Sequence, residues 1–312
     1  MDGVLLGFSV VAVLTLVGVL TALLAKENAV TIQRGLTPVV YYITNPALMV
    51  VLVSGTDVTL VAGLYTPLAL GTAVITAGLF AGYGLLARRS AADIAVGAMS
   101  SSYVNAGNIG VPIALYMVGT TAPVVAVLLA QLLVLAPMYL TIFGLLSSRA
   151  AKPSGFARLR MILGSVFNPT TLGVMVGAVL SLLQLEVPSF LWEPLQMVGE
   201  ASIPLMLIIF GMALWRQRPF TDASYVRDSV VAILCKSLVM PAVAWLLAGP
   251  VLGVTGDDLL GVVAMAALPT AQNVLLFGMH YGMPVTVGKD TVFTSAIASL
   301  PLILLAAWLL GG

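Results

Sequence analysis

The chain has 312 residues, 60% of them hydrophobic and only 8% charged, with a net charge of +1. A soluble domain carries roughly a quarter charged residues, so composition excludes a chain dispersed in water, and the balanced charge leaves no electrostatic case for nucleic acid as a partner. Each membrane-spanning helix needs about 20 apolar residues, which allows around ten in this length; the alternating strands of a transmembrane barrel do not occur in it. The expected class is an all-α, polytopic membrane protein with the lipid bilayer as its solvent.

The N-terminal run "MDGVLLGFSVVAVLTLVGVLTALLA" has no basic n-region and is too long for a signal peptide, so it reads as a retained first span. Ten apolar segments follow the chain, near 3–25, 36–54, 59–86, 94–118, 122–147, 164–185, 190–215, 229–252, 258–281 and 290–310. Basic residues cluster after the odd-numbered spans: Lys26 and Arg34; Arg88 and Arg89; Arg149, Lys152, Arg158 and Arg160; Arg216, Arg218 and Arg227; Lys289. The loops "SGTDVT", "GTTAP", "LEVPSFLWEP" and "GVTGDD" hold no Lys or Arg. The positive-inside rule puts the basic loops in the cytoplasm and both termini on the external side of the cell membrane.

The connection "SSRAAKPSGFARLR" divides the spans five and five, giving a first repeat over 1–148, a cytoplasmic linker over 149–157 and a second repeat over 158–312. Prolines echo between the halves: Pro137 with Pro301, Pro38 with Pro194, and Pro67 in "YTPLAL" with Pro241 in "VMPAVA". Five is odd, so the second half enters from the opposite face, an inverted repeat of the kind many secondary transporters use. Symmetry alone names no chemistry, and a channel or a sensor stays open as an alternative.

Spans four and nine are the polar ones. In "NAGNIGVPIAL" the glycines Gly107 and Gly110 weaken a helix and Pro112 suits the start of a new one. Asn105 and Asn108 lie about one turn apart, close to mid-depth. Span nine, "AALPTAQNVLLFGMHYG", is expected to break at Pro269 with Thr270, Gln272 and Asn273 just beyond. A break inside hydrocarbon strands backbone N–H and C=O groups, and persists only where protein, water or a ligand covers it. Half-helices starting near Pro112 and Pro269 would aim their positive ends at one crossing point. With neutral amides and no Lys or Arg in these two spans, that point suits a small carboxylate substrate. Asn45, before Pro46 in span two, is expected to line the cavity from the other side.

The segments "NAGNIGVPIALYMVG", "ALPTAQNVLLFGMHYG", "TNPALMV" and "IPLMLIIFGMAL" resemble those of the auxin efflux carrier family, which includes plant auxin exporters and bacterial carriers of malonate and malate. The resemblance covers essentially the whole chain. It implies ten transmembrane helices as two inverted five-helix repeats, similar to the bile-acid sodium symporter fold, with broken helices 4 and 9 crossing at the substrate. It also implies a homodimer, and it matches Asn105, Pro112 and Pro269 to the family's crossover asparagine and prolines. The long cytoplasmic loop of the plant members is missing, so the bacterial branch is closer and auxin is a poor choice of substrate.

Other residues have two readings each. Glu200, in "VGEASIPLML", is a proton carrier or part of a cation site, or else a hydrogen-bonded interior or interface carboxyl. Lys236 either snorkels to the cytoplasmic interface or partners an interior acid. His280 packs at the interface or relays protons; a lone histidine makes no metal site. Gly173 and Gly177 form a GxxxG contact signal, Gln131 is cavity lining or bundle glue, and Trp192 and Trp215 bracket span seven as anchors. No H-E-x-x-H or G-x-S-x-G motif marks an enzyme. With no P-loop, transport would be uniport, exchange, or coupling to Na+ or H+, and no cofactor is expected.

Overall fold

Helix is the only regular structure among the described residues, which in the computed structural model are 2–147, 167–216 and 218–311. The linker 149–157 and the basic residues Arg149, Lys152, Arg158 and Arg160 lie outside them. In chain order the helices are α1 (Asp2–Ala25), α2 (Ala29–Ser54), α3 (Val58–Leu86), α4 (Ala91–Ser102), α5 (Ala106–Val118), α6 (Ala122–Leu146), α7 (Pro169–Leu183), α8 (Ser189–Trp215), α9 (Ala223–Val251), α10 (Gly256–Ala267), α11 (Asn273–Tyr281) and α12 (Thr286–Leu310). Six stretches are long and apolar enough to cross a membrane, the first being Ser9–Ser54, and α5 and α7 are shorter apolar helices. At about 1.5 Å per residue, the 46 residues of Ser9–Ser54 are long enough for two passages. Large side chains point outward along them, Leu24 at 81% and Leu86 at 88% exposure among others, an apolar surface that only lipid or a partner would cover.

Several boundaries differ from the sequence expectation. The helix of span two starts at Ala29, not near 36, because "AVTIQR" contains no breaker and the turn is made by Lys26–Asn28, with Lys26 at φ 46°. That of span six starts at Pro169, where the Asn168 side chain accepts from Thr171 N–H at 3.0 Å and proline takes the first helical position.

Prolines set the internal shape. Wide, π-type turns at Val40–Thr44, Val61–Tyr65, Ala106–Gly110, Ala130–Leu135 and Cys235–Val239 each give way to an α-helical stretch whose second residue is a proline: Pro46, Pro67, Pro112, Pro137 and Pro241. A proline ring strikes the carbonyl four residues back and offers no N–H. Widening the preceding turn moves that carbonyl aside without ending the helix.

The chain forms two compact units. Unit 1 comprises Met1–Tyr65, Gly107–Ala126 and Phe167–Gln217. In it α1 packs on the second half of α8, with Gly18 and Gly211 so close that a Cβ on either would meet the other helix's backbone. Helix α2 packs on α7 through the GxxxG pair: a Cβ at Gly173 would lie 2.5 Å from the Pro46 carbonyl and one at Gly177 2.8 Å from that of Val50. The contacts advance together along both chains, so α2 and α7 run parallel.

Unit 2 comprises Thr66–Ala106, Val127–Val166 and Arg218–Gly312. Here α3 packs on α4, with Phe80 against Gly97, and α9, α10 and α12 pack against one another. Phe80, Ala98, Ala232, Cys235 and Val287 form an apolar cluster, and Cys235 is a buried free thiol.

Candidate functional site

The two polar spans are interrupted by short extended segments, both in unit 2. Helix α4 ends at Ser102, and residues 103–105 are not helical before α5 begins at Ala106. The interruption therefore falls on "SSSYVN", eight residues before Pro112, rather than among the glycines. The hydroxyls of Ser100, Ser101 and Ser102 turn back on their own helix, donating to the carbonyls of Val96, Gly97 and Ala98 at 2.7 to 2.8 Å. Such back-bonding weakens a helix, and Tyr103 and Val104 then leave it in extended form. Pro112 is buried in the second turn of α5, behind a wide turn, so it kinks that helix and does not start it. In span nine α10 ends at Ala267, Pro269 lies in the gap, and α11 begins at Asn273.

The two gaps pair with each other. Val104 and Thr270 form an isolated antiparallel bridge; Asn105 N–H donates to the Pro269 carbonyl at 2.8 Å and Ala271 N–H to that of Tyr103 at 2.9 Å. Side chains meet several more of the backbone groups. Gln131 Nε2 donates to the Val104 carbonyl at 2.7 Å. Thr270 Oγ1 donates to the Ser100 carbonyl at 2.6 Å, near the end of α4, while Thr270 N–H donates to Ser295 Oγ at 3.0 Å. Tyr103, 1% exposed, sets its hydroxyl against the Asn273 side chain. Near the end of α10, the Lys236 ammonium donates to the Ala266 carbonyl at 2.5 Å. Gln131, Thr270 and Lys236 thus answer carbonyls of the kind that helix termini leave stranded.

One donor is left over. The Asn105 side chain is 5% exposed, and its Nδ2 has no partner among the described residues. Asn105, Pro269, Thr270 and Asn273 are thus gathered in one place, with Gln272 half-buried as the residue before α11. Gly107, Asn108, Gly110 and Pro112 belong to unit 1, as does Asn45. Asn108 is half-buried; Asn45 Nδ2 donates to Thr170 Oγ1 at 2.9 Å, and its Oδ1 is buried without a partner.

The ionisable candidates divide differently. Glu200 is exposed at the end of the first segment of α8 and accepts from Gln196 at 2.8 Å, so the interior-carboxylate reading is corrected. His280 is exposed in the last turn of α11, edge-on to Tyr281 with ring centroids 5.1 Å apart. Lys236 fits neither of its readings: it is 0% exposed, which rules out snorkelling, and its partners are the Ala266 carbonyl and Met240 Sδ at 3.3 Å, not an acid. Spans four and nine carry no Lys or Arg, but span eight brings this cation to the end of α10. Sequence reasoning singled out neither Tyr103 nor Ser295; a bulky aromatic straight after three serines was the available cue for the first. No group of three or more metal-ligating side chains exists among the described residues.

Comparison with known proteins agrees with this arrangement of apolar helices. A family described as "Membrane transport protein" matches residues 9–307. A Rhizobium meliloti (strain 1021) protein named "Putative malonate transporter" is 27% identical over 271 residues, 84% of this chain and 82% of its own. An uncharacterised transporter of Methanocaldococcus jannaschii is 25% identical over 124 residues, 40% of this chain and 39% of its own. Both relatives are named as transporters. The chain is a multi-pass membrane protein belonging to the membrane transport protein family, the auxin efflux carriers, and is no enzyme.

Proposed function

We propose that the protein is a secondary carrier of a small organic anion across the cytoplasmic membrane, working by alternating access, with the substrate's carboxylate held where the gaps of spans four and nine pair. The observation that carries this reading is the Asn105 amide, a buried donor with no acceptor among the described residues. Such a group costs about 1–3 kcal/mol when left unmet, and a carboxylate oxygen would meet it. The N-terminus of α11 beside it offers partial positive charge of the same sense. The malonate named for the Rhizobium relative is a small dicarboxylate, the substrate class that fits.

The carrier is proposed to cross the membrane ten times as two inverted five-helix repeats, with both termini external. Support comes from the parallel run of α2 and α7, which spans two and six of that topology require, and from the matched wide turns before Pro67 and Pro241. A homodimer and a coupling ion, Na+ or H+, complete the proposal on the strength of the family resemblance.

A thermal-shift screen of organic acids on purified protein tests the substrate class, because ligand binding raises apparent stability. Malonate or a relative should stabilise; stabilisation by cations or neutral solutes alone would refute the anion reading. Asn105→Ala should weaken binding of the best acid by about 1.5–3 kcal/mol, roughly ten- to hundred-fold, with the free protein melting at or above the native temperature. Counterflow of labelled acid in proteoliposomes separates a carrier from a channel or sensor. Uptake with sodium replaced by choline, then with a protonophore added, identifies the coupling ion.

A further inference from the structure

Among the described residues of unit 2, three charged side chains are buried, and two of them have complementary partners. Asp228 pairs with Arg89 at 2.8 Å and accepts from the Tyr83 hydroxyl at 2.7 Å. Asp290 accepts from Phe220 N–H at 2.8 Å and from the Ser229 hydroxyl at 2.7 Å. Lys236, 0% exposed, has no opposite charge within ion-pair distance among the described residues. Its ammonium meets one backbone carbonyl and one thioether. Ala266 is the next-to-last residue of α10 and stands three residues before Pro269, whose carbonyl receives Asn105. Three residues of chain span at most about 11 Å.

Capping alone does not require that charge. At the end of α4 the same task, a stranded helix carbonyl in the same crossing, is done by the neutral hydroxyl of Thr270. A cation at a helix C-terminus is favourable but modestly so, whereas removing an ammonium from water without a counter-anion is expensive. The excess positive charge makes physical sense if an anion arrives to meet it. We propose that the Lys236 ammonium is the resident countercharge of the anion site: held against the Ala266 carbonyl when the site is free, and supplying the field that a bound carboxylate at Asn105 needs. This rests on the anion-carrier reading and adds to it the residue that selects for negative charge.

The test uses the purified full chain, with malonate, malate and acetate as probes in equilibrium binding and thermal unfolding. Lys236→Gln keeps a donor for Ala266 without charge, Lys236→Met is an apolar replacement of similar length, and Lys236→Arg keeps the charge. A unit charge acting over about 10–15 Å in a protein interior changes affinity by roughly five- to fifteen-fold. Lys236→Gln and Lys236→Met are therefore expected to bind the best acid at least about fivefold more weakly, and Lys236→Arg within about twofold of the native chain. Free of ligand, Lys236→Gln should melt at or above the native temperature, because an unpaired buried charge is removed while the Ala266 carbonyl keeps a donor. A purely architectural lysine would give the opposite: native-like binding in Lys236→Gln, or native-like binding in Lys236→Met. Either result overturns the proposal. If Lys236→Gln fails to fold, Lys236→Met gives the same binding comparison. A native chain that binds none of the three acids removes the anion reading itself, a different failure from neutral variants that bind as well as the native chain.

Discussion

Gln131 shows how a single side chain can make an interruption tolerable inside hydrocarbon. Its amide reaches a carbonyl 27 residues away, at Val104, where the extended segment has no helical partner to offer. Thr270 does the same for Ser100 across 170 residues. Leaving either carbonyl unmet should cost about 1–3 kcal/mol. Gln131→Leu and Thr270→Val are therefore expected to lower the thermal unfolding midpoint, and Thr270→Ser, which keeps the hydroxyl, to sit near the native value. If Gln131→Leu melts with the native chain, the amide is not what holds Val104. That these positions are polar inside apolar spans was legible in the sequence. What each side chain points at was not, because both pairings are long-range and periodicity reports only the face of a helix. Lys236 was misjudged for the same reason: its carbonyl partner lies on another span.

At the scale of elements, glycine decides where helices touch and proline decides how they bend. Gly173 and Gly177 announced their contact by spacing, and α7 meets α2 there. Gly18 and Gly211 announced nothing, since each is a lone glycine on a helix far away in sequence. Yet a Cβ on Gly211 would run into the Thr15 carbonyl, which no rotamer change can move. Gly211→Ala should therefore separate α1 from α8 and cost several kcal/mol, in the range of a badly overpacked core or more. Gly35→Ala, in a helix where an added Cβ meets nothing within 4 Å, should gain about 0.5–1 kcal/mol from helix propensity. Unfolding midpoints of the two variants measured side by side decide it; similar shifts would mean that α1 and α8 do not pack through these glycines. The interruption of span four was expected at glycine and proline, the usual breakers, and fell on a serine run. Proline there is accommodated by a wide turn, and the serines compete for the helix's own carbonyls.

For the whole molecule, charge is the main guide to orientation, and it concentrates at one end of unit 2. Arg89 pairs with Asp228, Arg227 lies 5.7 Å from the Tyr83 ring, and Lys289 donates to Thr221 at 2.8 Å. These residues follow spans three, seven and nine, the same set that the positive-inside rule assigns to the cytoplasm. Single cysteines in a Cys235→Ala background would test that assignment against a membrane-impermeant thiol reagent. Thr56 would have been a natural external position, but it is 6% exposed, donates to the Leu52 carbonyl and contacts the Thr121 hydroxyl. A cysteine there would stay silent for reasons of burial. Thr59, exposed beyond the Asp57 cap, and Thr255, exposed before α10, serve instead. Both should label in intact cells, and a cysteine at Ser154, outside the described residues, only after permeabilisation. Because 59 and 255 come from opposite halves and 154 from between them, the three results together read the parity of the chain. Five spans per half put 59 and 255 on one face and 154 on the other, and any even number puts them elsewhere. Labelling of Ser154 in intact cells would remove the orientation, and labelling there together with Thr59 and Thr255 would remove the inverted repeat as well.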